Sequence, residues 1–165
     1  MKEQNMKLTP HFSLAEMTRT SVKGVDNTPT AEAVENLKRV CRWLEMLREE
    51  WNLRYGSLTP TPSPQGKGEY EDPIIINSGY RSPEVNRAVG GSSKSNHLTG
   101  CAVDIRACGI EQALRYATIL LDISDEGQEP FDELLIELKG NGYWIHFAVR
   151  PQGNRRRVRF YKIIH

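Results

Sequence analysis

Apolar positions recur at helical spacing over residues 34–51: Val34, Leu37, Val40, Cys41, Leu44, Leu47 and Trp51. Glu32, Glu35, Lys38, Arg39, Arg42, Glu45 and Arg48 fall mostly on the other side. The pattern predicts an amphipathic helix over about 29–51 that covers a sheet. Thr28-Pro29 starts it, with a hydroxyl cap and proline at the first helical position. Ile110, Ala113, Leu114, Ala117 and Leu121 share one face of a second helix over 110–121. Strand-like apolar runs fall at 73–78, 101–105, 131–138, 143–149 and 156–164. Lys139-Gly140-Asn141-Gly142 is a hairpin signal between the third and fourth. Ser82-Pro83 starts a short helix that Gly90-Gly91 cuts off, and 92–100 is a polar loop. Phe12–Met17, capped by Ser13, predicts a short apolar turn or helix docked as a lid. Residues 56–72 are rich in Pro, Gly, Ser and Thr and carry no period, which predicts a long mobile loop inserted between a helix and a strand. The expected class is α+β, a small antiparallel sheet flanked by helices in one domain spanning 1–165, with no internal repeat.

Composition narrows the function classes. The 165 residues suit one domain, and 38% hydrophobic with 26% charged residues describes a globular chain. A formal net charge of +1 gives no pull towards nucleic acid or an anionic membrane, so neither is expected as a partner. No apolar run is long enough to span a bilayer, and the first twenty residues lack the apolar core of a secretory signal. Synthesis as a cytoplasmic chain is expected. Three cysteines without C-x-x-C spacing suggest neither a disulfide framework nor a thiolate metal site, and Cys41 reads as a small core residue. His11 reads as solvated or capping and His165 as a frayed end. The basic run Arg155-Arg156-Arg157, with Arg159 and Tyr161, reads as a solvated sheet edge.

The chemistry concentrates in 76–104. His97 and Asp104 stand seven residues apart, and His146 sits downstream in the strand-like run Tyr143–Val149. Two imidazoles and a carboxylate make a three-ligand set suited to an open zinc site. Zinc there would lower the pKa of water towards ~7 and polarise a scissile carbonyl. Gly100 supplies the bend that two ligands so close in sequence need to reach one ion.

Ser95–Asp104 matches S-x-H-x-x-G-x-A-x-D. Ser78-Gly79-Tyr80-Arg81-Ser82 lies upstream and Trp144-Ile145-His146 downstream. Together they resemble the D-Ala-D-Ala carboxypeptidase-like zinc peptidases, a group of D,D-dipeptidases, D,D-carboxypeptidases and phage endolysins with the hedgehog/DD-peptidase fold. The likeness runs from Phe12 to about Arg157, and its phage and bacterial branch is the nearest in pattern. It implies His97, Asp104 and His146 as ligands of one Zn2+. It also implies Arg81 as the arginine facing the substrate carbonyl, a role suited to a permanent charge with donors in a fixed fork. Against this stands a salt bridge that merely holds the 78–92 loop. Ser95 matches a substrate-contacting serine, with a turn hydroxyl as the ordinary explanation.

The general base departs from the family pattern. Relatives place Glu or Asp three residues before the last histidine, or His two before it, and this chain has Tyr143 and Trp144. A turn at 139–142 pairs 138 with 143 and 137 with 144. Side-chain alternation then puts Glu137, Trp144 and His146 on one face. Glu137 is therefore the expected base, with Trp144 beside it at the substrate. Asp132 and Glu133 are fallbacks, read as solvated charges at the start of the strand.

The resemblance implies a zinc metallopeptidase acting on stem or cross-link peptides of bacterial peptidoglycan, monomeric, and of the phage type released by a partner. The alternative is a non-catalytic zinc-containing module on the same fold, binding cell wall or building a phage particle.

Overall fold

The computed structural model describes residues 6–56 and 72–163. The elements are α1 (Leu14–Met17), α2 (Ala31–Tyr55), β1 (Ile76–Ser78), α3 (Pro83–Ala88), a 3-10 turn (Asn96–Thr99), β2 (Ala102–Ala107), α4 (Ile110–Gly127), β3 (Glu133–Lys139), β4 (Gly142–Ala148) and β5 (Arg157–Ile163). The strands form one sheet in the order β1-β2-β4-β3-β5. The α+β class is as expected. One strand departs from the antiparallel expectation, because β5 runs parallel to β3. The chain leaves β4, crosses the start of β3 and adds β5 on the far side.

One sheet face is the core. Val103, Ile105, Leu134, Ile145 and Phe147 alternate along β2, β3 and β4 and are fully buried. Leu37, Val40, Cys41, Trp43, Leu44 and Leu47 of α2 join the same cluster, with Ile119 and Leu120 of α4. The Trp43 and Phe147 rings pack 5.2 Å apart. Burying each large side chain stabilises the fold by roughly 1.5–3 kcal/mol. Phe12 and Met17 enter this core from the N-terminal turn, whose Ser13 caps α1 as expected.

Helix boundaries differ from the sequence expectation. Thr30, not Thr28, caps α2 by accepting from the Ala33 amide. Thr28 is taken up by Asp26, which accepts from its amide and its hydroxyl. Helix α2 continues to Tyr55, and α4 continues to Gly127, past the last apolar position of each pattern. The expected inserted loop lies outside the described residues except for Gly56 and Asp72. Asn52 holds both: its carbonyl accepts from Gly56 N at 3.0 Å, and its side chain accepts from Asp72 N at 2.7 Å.

The opposite sheet face and the 3-10 turn carry the polar residues. Asn36 is a polar residue buried on the apolar side of α2, and its side chain donates to the Thr99 carbonyl at 2.9 Å. Gly100 ends the turn at φ +72°, and any Cβ there would run into the Ala33 carbonyl. Gly79 likewise passes directly against the Met17 backbone. These contacts seat the turn on α2 and set the position of His97.

Gly100→Ala is therefore expected to destabilise the chain by about 2–3 kcal/mol, since it adds left-handed strain and a backbone collision. Thermal unfolding would show it as a Tm lower by roughly 5–10 °C.

Candidate metal centre

The pairing of β2 with β4 sets Asp104 opposite His146. Directly opposed residues on one face of an antiparallel pair have adjacent side chains. His146 Nδ1 lies 3.0 Å from Asp104 Oδ1. His97 arrives from the 3-10 turn, with Nε2 3.2 Å from the same oxygen. One ligand atom from each of the three residues lies within 4.8 Å of the others. Exposures of 2% for His97 and 8% for Asp104 and His146 keep the cluster nearly out of water. The imidazole rings stand 5.0 Å apart at 62°.

The protonation pattern fits a cation between these atoms. The Gly79 carbonyl can only accept, so His97 Nδ1, 2.6 Å away, carries the proton. Burial pushes the His97 pKa down, against the attraction of Asp104, and so favours the neutral ring. In that form Nε2 presents a lone pair to Asp104 Oδ1, 3.2 Å away, an arrangement that a cation between the two atoms would satisfy. His146 is held in the complementary way. Glu133 Oε2 lies 3.2 Å from its Nε2 and takes that N–H, which turns Nδ1 towards Asp104. A carboxylate behind a ligating imidazole fixes the tautomer and raises the basicity of the ring. The set offers two nitrogens and an oxygen, donors that suit zinc.

Charges around the cluster are ordered. Burial opposes ionisation of Asp104, but His97 and His146 hold its carboxyl well below the usual range. Burial also opposes the charge on His146, but Asp104 and Glu133 raise its pKa to about 9. Arg81 donates through Nη2 to Asp104 Oδ2 at 2.5 Å and through Nε to Ser78 Oγ at 2.9 Å. The Arg81 amide donates to the His97 carbonyl at 3.1 Å. Arg81 thus ties its loop to the cluster rather than serving the 78–92 loop alone.

Glu137 lies opposite Trp144, in the register expected from the turn. The Trp144 indole N–H donates to Glu137 Oε2 at 2.5 Å. Burial raises the Glu137 pKa, with Asp104 adding to it, against lowering by His146, Trp144 and Arg81. Ser95 caps the 3-10 turn by accepting from the His97 amide at 3.3 Å, the turn role that was the ordinary expectation.

Two residues differ from the sequence expectation. Glu133 is not a solvated charge at the start of β3, since it binds His146, Asn96, Arg155 and Arg157. Asp132 is 0% exposed and accepts from Asn96 and Arg155. The register that placed Glu137 could have found Glu133. Leu135 pairs with His146, so 133 and 137 flank that histidine on the same face. His11, expected as solvated or capping, pairs with Glu45 at 2.7 Å, away from the cluster.

A family model described as Peptidase M15 matches residues 64–128. No curated protein matches the chain. The matched span holds Arg81, Ser95, His97 and Asp104. It supports the M15 zinc D-Ala-D-Ala carboxypeptidase-like peptidases that the motifs resemble, and with them a zinc-dependent peptidase.

Two outcomes follow from the proton pattern. Metal-free His146 keeps its proton up to about pH 9, against 6.5 for an ordinary ring, so its contribution to stability is complete below 6.5 and is lost as pH rises through 9. A cation at Nδ1 must expel that proton. Zinc titration at pH 7.5 in buffers of different ionisation enthalpy is expected to release about one proton per ion, and none released would contradict the arrangement. Glu133→Gln is expected to weaken zinc binding about 10–100-fold in chelator competition.

Proposed function

We propose that the protein is a single-domain zinc metallopeptidase that hydrolyses stem or cross-link peptides of bacterial peptidoglycan. The observation that carries this reading is the convergence of His97, Asp104 and His146, with one N–H of each ring already donated to a second partner, the Gly79 carbonyl and the Glu133 carboxylate. These three residues would hold one Zn2+. When bound, that ion supplies Lewis acidity for the scissile carbonyl and makes water a competent nucleophile near neutral pH.

The chain's own residues do the rest. Glu137 takes the proton of the attacking water and returns it to the leaving amine. Its raised pKa suits both halves of that exchange. The Trp144 indole fixes the Glu137 carboxylate and offers a flat side to the substrate peptide. Arg81 keeps Asp104 in one orientation and adds permanent positive charge against the developing oxyanion. Ser95 contributes a hydroxyl beside the His97 turn for substrate backbone.

The peptidoglycan assignment rests on the motif resemblance. A phage-type enzyme acting as a monomer after release by a partner is the setting that fits it. Among the described residues no helix is long and apolar enough to cross a membrane.

Digestion of purified cell wall followed by mass spectrometry of the released muropeptides tests the reading. Peptide-bond cleavage that stops on chelation and returns with zinc is expected. Intact wall in the presence of bound zinc would favour a binding module instead. Glu137→Gln is expected to lose about 10²–10⁴ in kcat while still binding one zinc per chain. Near-wild-type turnover by that variant would remove Glu137 from the mechanism.

A further inference from the structure

Arg81 stands in a short stretch, residues 79–82, between the end of β1 and the start of α3. Gly79, Tyr80 and Ser82 are buried there, outside the sheet ladder. Buried backbone N–H and C=O groups need partners, and a stretch outside the ladder must find them elsewhere. The N-terminal segment supplies them. The Tyr80 amide donates to the Met17 carbonyl at 2.8 Å. Asn27 provides the next two bonds. Its Nδ2 donates to the Tyr80 carbonyl at 3.2 Å, and its Oδ1 accepts from the Ser82 amide at 2.7 Å. The same Nδ2 donates to the Thr18 carbonyl at 2.7 Å.

A side-chain amide carries one acceptor and two donors, so it can pair with backbone as another peptide group would. Here it grips the main chain on both sides of Arg81. Asp26 shapes the turn that presents it, by accepting from the amide and the hydroxyl of Thr28. Arg19 adds a bond from Nη2 to the Ile76 carbonyl at 3.2 Å. Residues 17–27 therefore back the Arg81 stretch. The other side of that stretch meets the metal cluster, through the Gly79 carbonyl at His97 Nδ1 and the Arg81 guanidinium at Asp104. Asn27 itself bonds to none of His97, Asp104 and His146.

We infer that Asn27 is a positioning residue for Arg81, setting where the guanidinium stands against the reacting carbonyl. A group misplaced by about 1 Å can cost ~10²-fold in rate, although the change lies away from the chemistry. What Arg81 does rests on the peptidase reading. How Arg81 is held rests on the hydrogen bonds alone.

The test uses zinc-loaded full-length protein and a synthetic stem peptide. Asn27→Ala is expected to lower kcat about 10–100-fold, with KM within about twofold and one zinc still bound per chain. In an Arg81→Ala background the same substitution is expected to change kcat less than about threefold, because the group it aims is gone. Equal fold losses in the two backgrounds overturn the inference. Asn52→Ala is the comparison for a general loss of hydrogen bonding, since Asn52 binds the Arg48 carbonyl and Asp72 at the C-terminal end of α2. It is expected to keep kcat within about twofold, and a loss as large as that of Asn27→Ala counts against the assignment.

A second readout needs no turnover. The Arg81 Nε–H donates to Ser78 Oγ at 2.9 Å, and its hydrogen exchange can be followed by NMR. Asn27→Ala is expected to speed that exchange about tenfold or more, and Asn52→Ala to leave it unchanged. Unchanged exchange in Asn27→Ala sinks the inference. If wild type cuts no peptide, the peptidase reading falls and the exchange rate alone decides whether Asn27 holds Arg81. Should Asn27→Ala not fold, Asn27→Asp is read in the same two ways, since it keeps the acceptor for Ser82 and loses both donors.

Discussion

Asp104 is an anion 8% exposed to solvent, and the surrounding fold is arranged to hold it charged. An unpaired carboxylate so placed would cost several kcal/mol or take up a proton. Its two oxygens are divided instead. Oδ2 takes the Arg81 guanidinium, and Oδ1 faces both imidazoles. Each of these partners depends on a different part of the chain. His146 is set by the β2–β4 register, Arg81 by the loop after β1, and His97 by the 3-10 turn. That turn in turn depends on Asn36 reaching across from α2 and on Gly100 fitting against the Ala33 carbonyl. The hydrophobic core and the polar centre are thus joined through a few backbone approaches that tolerate no side chain.

Glu133 and Glu137 flank His146 on one sheet face, yet their surroundings push them apart. Glu133 hydrogen-bonds His146 and two arginines, and its pKa falls. Glu137 is half-buried, has the Trp144 N–H as its hydrogen-bond donor, and its pKa rises. The two neighbouring carboxylates are thus driven in opposite directions by their surroundings. The lowered one is fitted to staying charged and orienting a ring. Burial at the raised one favours its protonated form.

Much of this was legible in the sequence because it rests on period and register. The spacing from Leu37 to Trp51 predicted α2, and the Lys139–Gly142 turn fixed which residues of β3 and β4 oppose each other. The clustering of His97, Asp104 and His146 was expected from their motif and is what the fold brings together. The direction of β5 was not legible, since an alternating run reads the same whether its neighbour is parallel or antiparallel. The true cap of α2 was hidden because Thr28 and Thr30 are chemically alike, and only the competition from Asp26 separates them. Glu133 was misread because a charge at a strand start is usually solvated. Its three cationic or imidazole partners come from residues 13 to 24 positions away. The basic run does lie at an exposed sheet edge, since β5 is the outermost strand, and Arg155 and Arg157 in addition reach back to Asp132 and Glu133.

The account stands on one cation held among three particular atoms. Anomalous diffraction from zinc-soaked crystals, recorded on both sides of the zinc edge, addresses that directly. A single strong peak within bonding distance of His97 Nε2, Asp104 Oδ1 and His146 Nδ1 is the predicted result. A peak elsewhere, or none with those three side chains in place, would contradict it.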